Sequence, residues 1–80
     1  MLAKSLFLPQ SYGKIVFSFG QMMDERNITR NKLATLAGFH FDVADRLYKG
    51  ELERVDMDVL AKFCCVLDCD VSDVMKFEKP

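Results

Sequence analysis

Four residues at fixed spacing constrain the fold of this chain more than any other feature. Counted from Arg30, Ala34 is the fifth residue, Gly38 the ninth, Ala44 the fifteenth and Leu47 the eighteenth. A small fifth residue lets two helices cross closely, and a glycine at the ninth place permits the backbone of a tight turn. The later apolar pair would anchor the second helix on a core. The spacing predicts a helix-turn-helix, a motif whose second helix can lie across a DNA major groove.

The capping residues and the spacing of apolar residues on both sides of this motif also predict helices. Asn27 tolerates a left-handed backbone and is expected to end a first helix, and Thr29 is expected to cap the second. Asp56 is expected to begin a fourth helix, in which apolar side chains recur at steps of three and four residues. The expected helical segments are residues 17–27, "RNKLATLA", Phe41–Tyr48, "MDVLAKFCCVLDC" and a final turn at Val71–Met75.

Short strands are predicted at both ends of the helical region. The stretch "KIVFSF" is rich in β-branched and aromatic residues, and "VMKFEK" alternates apolar and polar side chains. The two strands are expected to pair, within one chain or between two. Residues 1–13 have no sustained period and contain Pro9 and the turn-forming "SYG". We therefore expect an N-terminal arm at 1–13 and a helix-turn-helix domain at 14–80.

The composition predicts one small soluble domain without a broad basic surface. The chain has 80 residues, half of them apolar, and 11 Lys and Arg against 12 Asp and Glu give a net charge of -1. One core can be closed, and any contact with nucleic acid must be local. The three cysteines lie within six residues, which suits reduced thiols better than a disulfide scaffold. The first apolar run is broken at Lys4 and Pro9, so we expect a cytoplasmic protein that does not contact a membrane.

Metal and catalytic sites are not favoured by the residue spacing. Cysteine thiolates with His40 could supply four zinc ligands, but Cys64 and Cys69 fall on the inner side of helix four, where packing is the simpler interpretation. "DCDVSD" resembles the start of a calcium loop, yet Asp73 and Lys79 stand where glycine and glutamate are required. His40 is the single histidine and has no sequence partner, and no glycine-rich phosphate loop is present. We expect no metal, no cofactor and no enzymatic activity.

These motifs together resemble the Cro and lambda-repressor-like helix-turn-helix family, often called the XRE family. The resemblance is carried by "ITRNKLATLAG", "DRLYKG", "RVDMDVLAKFCCVLDC" and "DVM", and it extends over about Ile15–Phe77. It implies an all-α fold: a compact five-helix lambda-repressor-like domain with a helix-turn-helix, flanked by two short terminal β-strands. It also implies a transcriptional regulator that binds double-stranded operator DNA sequence-specifically, usually as a symmetric dimer.

The resemblance also implies roles for individual residues, with helix Phe41–Tyr48 reading the major groove. Thr29 and Arg30, at the start of helix two, would meet phosphate, where the helix dipole favours anions. The other assignments are His40, Phe41, Asp42 and Asp45 at base-facing positions, Arg46 on the flank of the helix, and Lys49 and Arg54 on the DNA backbone. An aspartate can accept a hydrogen bond from cytosine and Phe41 can touch a thymine methyl, although carboxylates near phosphates weaken binding.

Two further alternatives remain open at the level of sequence. A homodimer could form through the arm or through the terminal strands, because both have apolar side chains or backbone groups that a second copy could cover. The acidic third helix also permits a protein-interaction module, antitoxin-like or an anti-regulator, with the same fold and weak or no DNA binding.

Overall fold

The computed structural model of the chain describes residues 11–80, which form four α-helices between two short strands. The elements are β1 (Lys14–Phe17), α1 (Phe19–Glu25), α2 (Arg30–Ala37), α3 (Phe41–Lys49), α4 (Met57–Leu67), a 3-10 turn (Val71–Asp73) and β2 (Met75–Glu78). The predicted mostly helical domain with terminal strands is confirmed. Most of the predicted N-terminal arm, residues 1–10, lies outside the described residues.

The expected fifth helix is a single 3-10 turn instead of an α-helix. Helix α4 ends two residues before the predicted Cys69, because Asp68 adopts a left-handed backbone with φ of 51°. Asp70 and Asp73 then form a capping box across the three residues of the turn. Met75 already belongs to β2, so the strand leaves no room for a second helical turn.

The two strands pair with each other within the chain in an antiparallel arrangement. Phe17 is opposite Met75, and Ile15 is opposite Phe77. Side chains two residues apart on a strand share one face of a sheet. Phe17 and Met75 therefore pack against the core, whereas Ile15 and Phe77 extend the same apolar face beyond it and are 52% and 57% exposed.

The predicted caps at Thr29 and Asp56 and the predicted breaks at Asn27 and Gly38 are confirmed by their hydrogen bonds and backbone angles. Helix α1 begins at Phe19, two residues after the expected start, because Phe17 belongs to β1. The Thr29 hydroxyl accepts a hydrogen bond from the Lys32 N–H at 3.1 Å. The Asp56 carboxylate accepts bonds from the N–H groups of Asp58, at 2.7 Å, and Val59, at 3.3 Å. Gly38 has a φ of 74°, which residues with a side chain rarely adopt, and this left-handed backbone turns the chain from α2 towards α3.

One apolar core holds the four helices and the residues at the start of β2. Its buried members are Phe19, Met23, Leu33, Ala34, Ala44, Leu47, Leu60, Phe63, Leu67 and Val74. The rings of Phe19 and Phe63 meet edge to face with 4.9 Å between their centroids. Ala34, Ala44 and Leu47 are all buried, as the spacing predicts. The core therefore fixes one side of α3 and leaves its opposite side at the surface.

Within residues 11–80, no helix is both long enough and apolar enough to cross a membrane. The longest, α4, has 11 residues.

Candidate nucleic-acid interface

The exposed side of α3 brings together several of the predicted site residues. His40 is the N-cap of the helix, but its side chain makes no capping hydrogen bond and lies at the surface. Phe41, Asp42 and Arg46 are also exposed. Asp42 and Arg46 lie on the side away from the buried Ala44 and Leu47, and Phe41 lies at the flank, beneath the Arg30 guanidinium. We call the surface formed by His40, Phe41, Asp42 and Arg46 the outer face of α3. These side chains are therefore accessible to a ligand.

The start of α2 lies beside the outer face of α3. Thr29 is exposed at this end, and its hydroxyl is occupied by the Lys32 N–H. The first N–H groups of any α-helix have no partner within the helix and favour an anion. Arg30, the first residue of α2, reaches across to Asp45 in the middle of α3, which fixes the distance between the two helices. The helix end and the outer face can therefore contact the same ligand.

Asp45 is bonded to two cations rather than facing solvent freely. Its Oδ1 accepts a hydrogen bond from Arg30 Nη1, and its Oδ2 forms an ion pair with Lys49 Nζ at 3.1 Å. The Arg30 guanidinium also lies over two rings, 5.6 Å from the centroid of Phe41 and 5.3 Å from that of Tyr48. The hydrogen bond from Lys49, followed by that from Arg30, lowers the pKa of Asp45 below its usual range. We call these five residues the Asp45 cluster.

Tyr48 extends the Asp45 cluster to α1. Its hydroxyl donates to the carboxylate of Asp24, with 3.1 Å to each oxygen. The hydrogen bond to Asp24, with the negative charge of that carboxylate as a second cause, favours the protonated hydroxyl and raises the pKa of Tyr48. Polar contacts therefore join α1, α2 and α3 on the side of the motif where α2 begins.

A groove between α3 and the loop before α4 has Arg46 and Arg54 at its polar edge. Its volume is about 210 Å³, and its walls are Val43, Arg46, Leu47, Leu52, Arg54, Val55, Asp56 and Val59. Neither arginine forms an ion pair with another residue in the described part of the chain. Their charges are available to a ligand, in contrast to those of Arg30 and Lys49.

The cysteines belong to α4 and its end, where two of them pack against the core. Cys64 and Cys69 are partly buried, and Cys65 is exposed. Burial, with the nearby Cys64 as a second cause, raises the pKa of Cys69 to about 11, so its thiol stays protonated at neutral pH. Residues 11–80 contain no group of three His, Cys, Asp or Glu side chains placed to hold a metal ion.

Sequence reasoning missed the partners of Arg30. It assigned Arg30 to phosphate and Asp45 to a base-facing position, whereas here they are bonded to each other. Tyr48 and Asp24 were not singled out at all. One signal was available: Asp45 and Lys49 stand four residues apart on a helix, a spacing that favours an ion pair.

The sequence-family model of the Cro/C1-type HTH DNA-binding domain matches residues 19–80 of this chain. The chain belongs to this family. The predicted resemblance to Cro and lambda-repressor-like helix-turn-helix proteins is thus confirmed. Among solved structures, this Cro/C1-type domain is similar to the transcriptional regulator VanUg, with a TM-score of 0.65 over 90% of this chain and 93% of that one. The sequence identity is 20%, so the likeness shows the fold alone. A search of curated proteins finds no significant match.

Proposed function

We propose that this Cro/C1-type protein is a sequence-specific transcriptional regulator that places α3 in the major groove of operator DNA. One observation carries the proposal. The buried Ala44 and Leu47 anchor one side of α3 on the core, while Asp42 and Arg46 project from the other side beside the start of α2. Helix-turn-helix proteins use this arrangement, in which the second helix contacts base edges and the first helix meets the DNA backbone.

The contacts that we propose follow from the chemistry of each exposed side chain. Asp42 can accept a hydrogen bond from the amino group of cytosine, and Phe41 can contact a thymine methyl. Arg46 and His40 can donate to base edges or phosphates. Thr29, Arg54 and the first N–H groups of α2 are assigned to the DNA backbone. Because Arg30 and Lys49 are both bonded to Asp45, we assign these three residues no direct contact with DNA in the unbound geometry.

Selection of bound sequences from random DNA duplexes tests this function. We expect a preferred sequence, and Arg46→Ala and Arg54→Ala should each weaken its binding and reduce the salt dependence by about 1 in slope. Lys76→Ala is the matched control. It also removes one positive charge, but Lys76 lies on β2 beside α1, away from α3. Failure to enrich any sequence at low salt would contradict the proposal.

We further propose a symmetric dimer on a two-part operator, formed through the terminal strands or the N-terminal arm. The exposed Ile15 and Phe77 support it, because they are opposite each other on the sheet and form an apolar surface there. The corresponding division of the chain is an arm at 1–13 and a helix-turn-helix domain at 14–80. A chain that begins at Lys14 should fold on its own, as judged by its circular dichroism and its thermal unfolding.

A protein-interaction module, antitoxin-like or an anti-regulator, is the second candidate. The exposed Phe41 on α3 and the exposed Leu36 on α2 favour it, because both are large apolar side chains on the helix-turn-helix. Recovery of one stoichiometric partner whose binding is lost in Phe41→Ser would support this function. Competition between that partner and operator DNA would show that both use the outer face of α3.

A further inference from the structure

We propose that Asp45 sets the specificity of DNA binding without touching a base, by holding Arg30 and Lys49 away from phosphates. The proposal rests on the proposed function and identifies one residue that controls it. In this arrangement the Asp45 carboxylate occupies the positions that a phosphate would otherwise take. Phosphate contacts supply nearly all of the affinity for non-specific DNA. Withholding two cations from phosphates therefore lowers the affinity for non-specific DNA more than the affinity for the operator.

The geometry of the carboxylate supports this role. Each of its oxygens has its own cation, Arg30 at Oδ1 and Lys49 at Oδ2. A carboxylate bound in this way satisfies both cations at once, as two phosphate oxygens would. The Asp45 side chain is only 23% exposed, whereas Arg30 and Lys49 are 41% and 49% exposed. The acid is therefore covered, while the two cations lie where DNA could reach them if they were released.

Contacts around Arg30 make its release unfavourable. The guanidinium lies over the rings of Phe41 and Tyr48, and cation–π contacts of this kind add to the ion pair. Tyr48 is itself held by its hydrogen bonds to Asp24 on α1. An isolated ion pair at a protein surface contributes little, but a network with fixed side chains retains its geometry. Asp45 and the two rings therefore hold the guanidinium against α3, and a phosphate must compete with the Asp45 carboxylate for it.

Asp42, on the same helix, differs from Asp45 because it has no cationic partner among the described residues. It is exposed, and no cation of residues 11–80 lies within ion-pair distance of its carboxylate. Asp42 repels phosphate but captures no cation. Asp45→Asn and Asp42→Asn therefore make the same change in net charge, and only the first releases Arg30 and Lys49.

The decisive experiment compares these two variants with the wild-type protein. Binding of a non-specific duplex and of the selected operator is measured by fluorescence anisotropy across a series of NaCl concentrations. For Asp45→Asn we expect tighter non-specific binding, a smaller preference for the operator, and a salt dependence steeper by about 1.8 in slope, at 0.9 per released cation. For Asp42→Asn we expect an unchanged slope on the non-specific duplex, which is the comparison that counts, because Asp42 is itself assigned to a base of the operator. The double variant Arg30→Ala with Asp45→Asn should lose about half of the added slope. Equal slopes in Asp45→Asn and Asp42→Asn would overturn the proposal.

A second comparison keeps the proposal decidable if Asp45→Asn does not fold. In the otherwise unchanged protein, Lys49→Gln should leave the salt slope nearly as it is, because Lys49 is held by Asp45. Arg46→Gln should reduce the slope by about 0.9, because Arg46 has no partner in the described part of the chain. A reduction of the slope in Lys49→Gln equal to that in Arg46→Gln would overturn the proposal.

Heparin distinguishes failure of this inference from failure of the proposed function. Elution from immobilised heparin needs no operator and depends on the cations that are free to bind a polyanion. If no preferred DNA sequence exists, the proposed function fails, and later elution of Asp45→Asn than of Asp42→Asn would still show that Asp45 withholds the two cations. Equal elution of the two variants would show that it does not.

Discussion

The ionisation of Asp45 couples the stability of the protein to pH. Hydrogen bonds from Lys49 and then Arg30 lower the pKa of this carboxyl in the folded chain, below the value of about 3.9 for a free aspartate. A lowered pKa means that the charged form is favoured by folding. Its stabilising contribution is therefore complete above the unfolded pKa and is lost as pH falls through the folded one.

We predict that Asp45→Asn lowers the stability of the protein at pH 7 and has a smaller effect at pH 3. The reason is that protonation of Asp45 in the wild-type protein weakens the same ion pairs that the substitution removes. Urea unfolding at the two pH values measures the difference, with Asp42→Asn as the matched change in charge. An equal loss of stability by Asp45→Asn at both pH values would be inconsistent with this account.

The position of Asp45 also shows where sequence reasoning about single residues ends. Its pairing with Lys49 follows from a local helical spacing and could have been predicted. Its pairing with Arg30, fifteen residues earlier, depends on the angle between α2 and α3 and on the reach of a long side chain. No local pattern encodes that angle, so the pairing with Arg30 was not expected when the family resemblance assigned Asp45 to a base-facing position.

At the scale of elements, α1 and α3 approach each other through Gly20. A Cβ atom at this position would fall within the contact distance of the Tyr48 carbonyl oxygen, which is backbone and cannot rotate away. The absence of a side chain at Gly20 thus sets how closely α1 packs against α3. The same contact keeps Tyr48 within reach of Asp24.

We predict that Gly20→Ala lowers the free energy of unfolding by about 1–3 kcal/mol, because one added methyl must displace a helix in a packed interface. Chemical denaturation measures the change. Gln21→Ala, at the next and exposed position of α1, is the control, and a change within about 0.5 kcal/mol is expected there. Wild-type stability of Gly20→Ala would show that α1 moves freely against α3.

Most elements could be predicted from the sequence because their signals are local. The caps at Thr29 and Asp56 and the turn at Gly38 each depend on a few adjacent residues, and the structure has all three. The partner of β1 could not be predicted, since pairing within a chain and between chains satisfies the same backbone groups. The fifth helix was wrongly extended because the pairing of Met75 with Phe17, 58 residues earlier in the chain, competes with helix formation.

For the molecule as a whole, the exposed end of the sheet bears on self-association. We predict that the wild-type protein has a concentration-dependent mass approaching twice the 9.2 kDa of one chain. Phe77→Ser should shift it towards the monomer, because Phe77 and Ile15 are the exposed apolar pair of the sheet. Size-exclusion chromatography with light scattering measures both masses.

Met57→Ser is the control for this prediction. Met57 is 75% exposed at the start of α4, so its replacement removes an apolar side chain of similar size away from the sheet. An equal effect of Met57→Ser, or a wild-type protein that stays monomeric at every concentration, would contradict dimer formation through the strands.

The contact between Tyr48 and Asp24 gives the molecule an intrinsic optical reporter. The chain has no tryptophan and only two tyrosines, and one of them donates its hydroxyl to a carboxylate across two helices. The ultraviolet emission of a phenol changes when such a neighbour is withdrawn. Any ligand that separates α1 from α3 would therefore change the tyrosine fluorescence of the unlabelled protein.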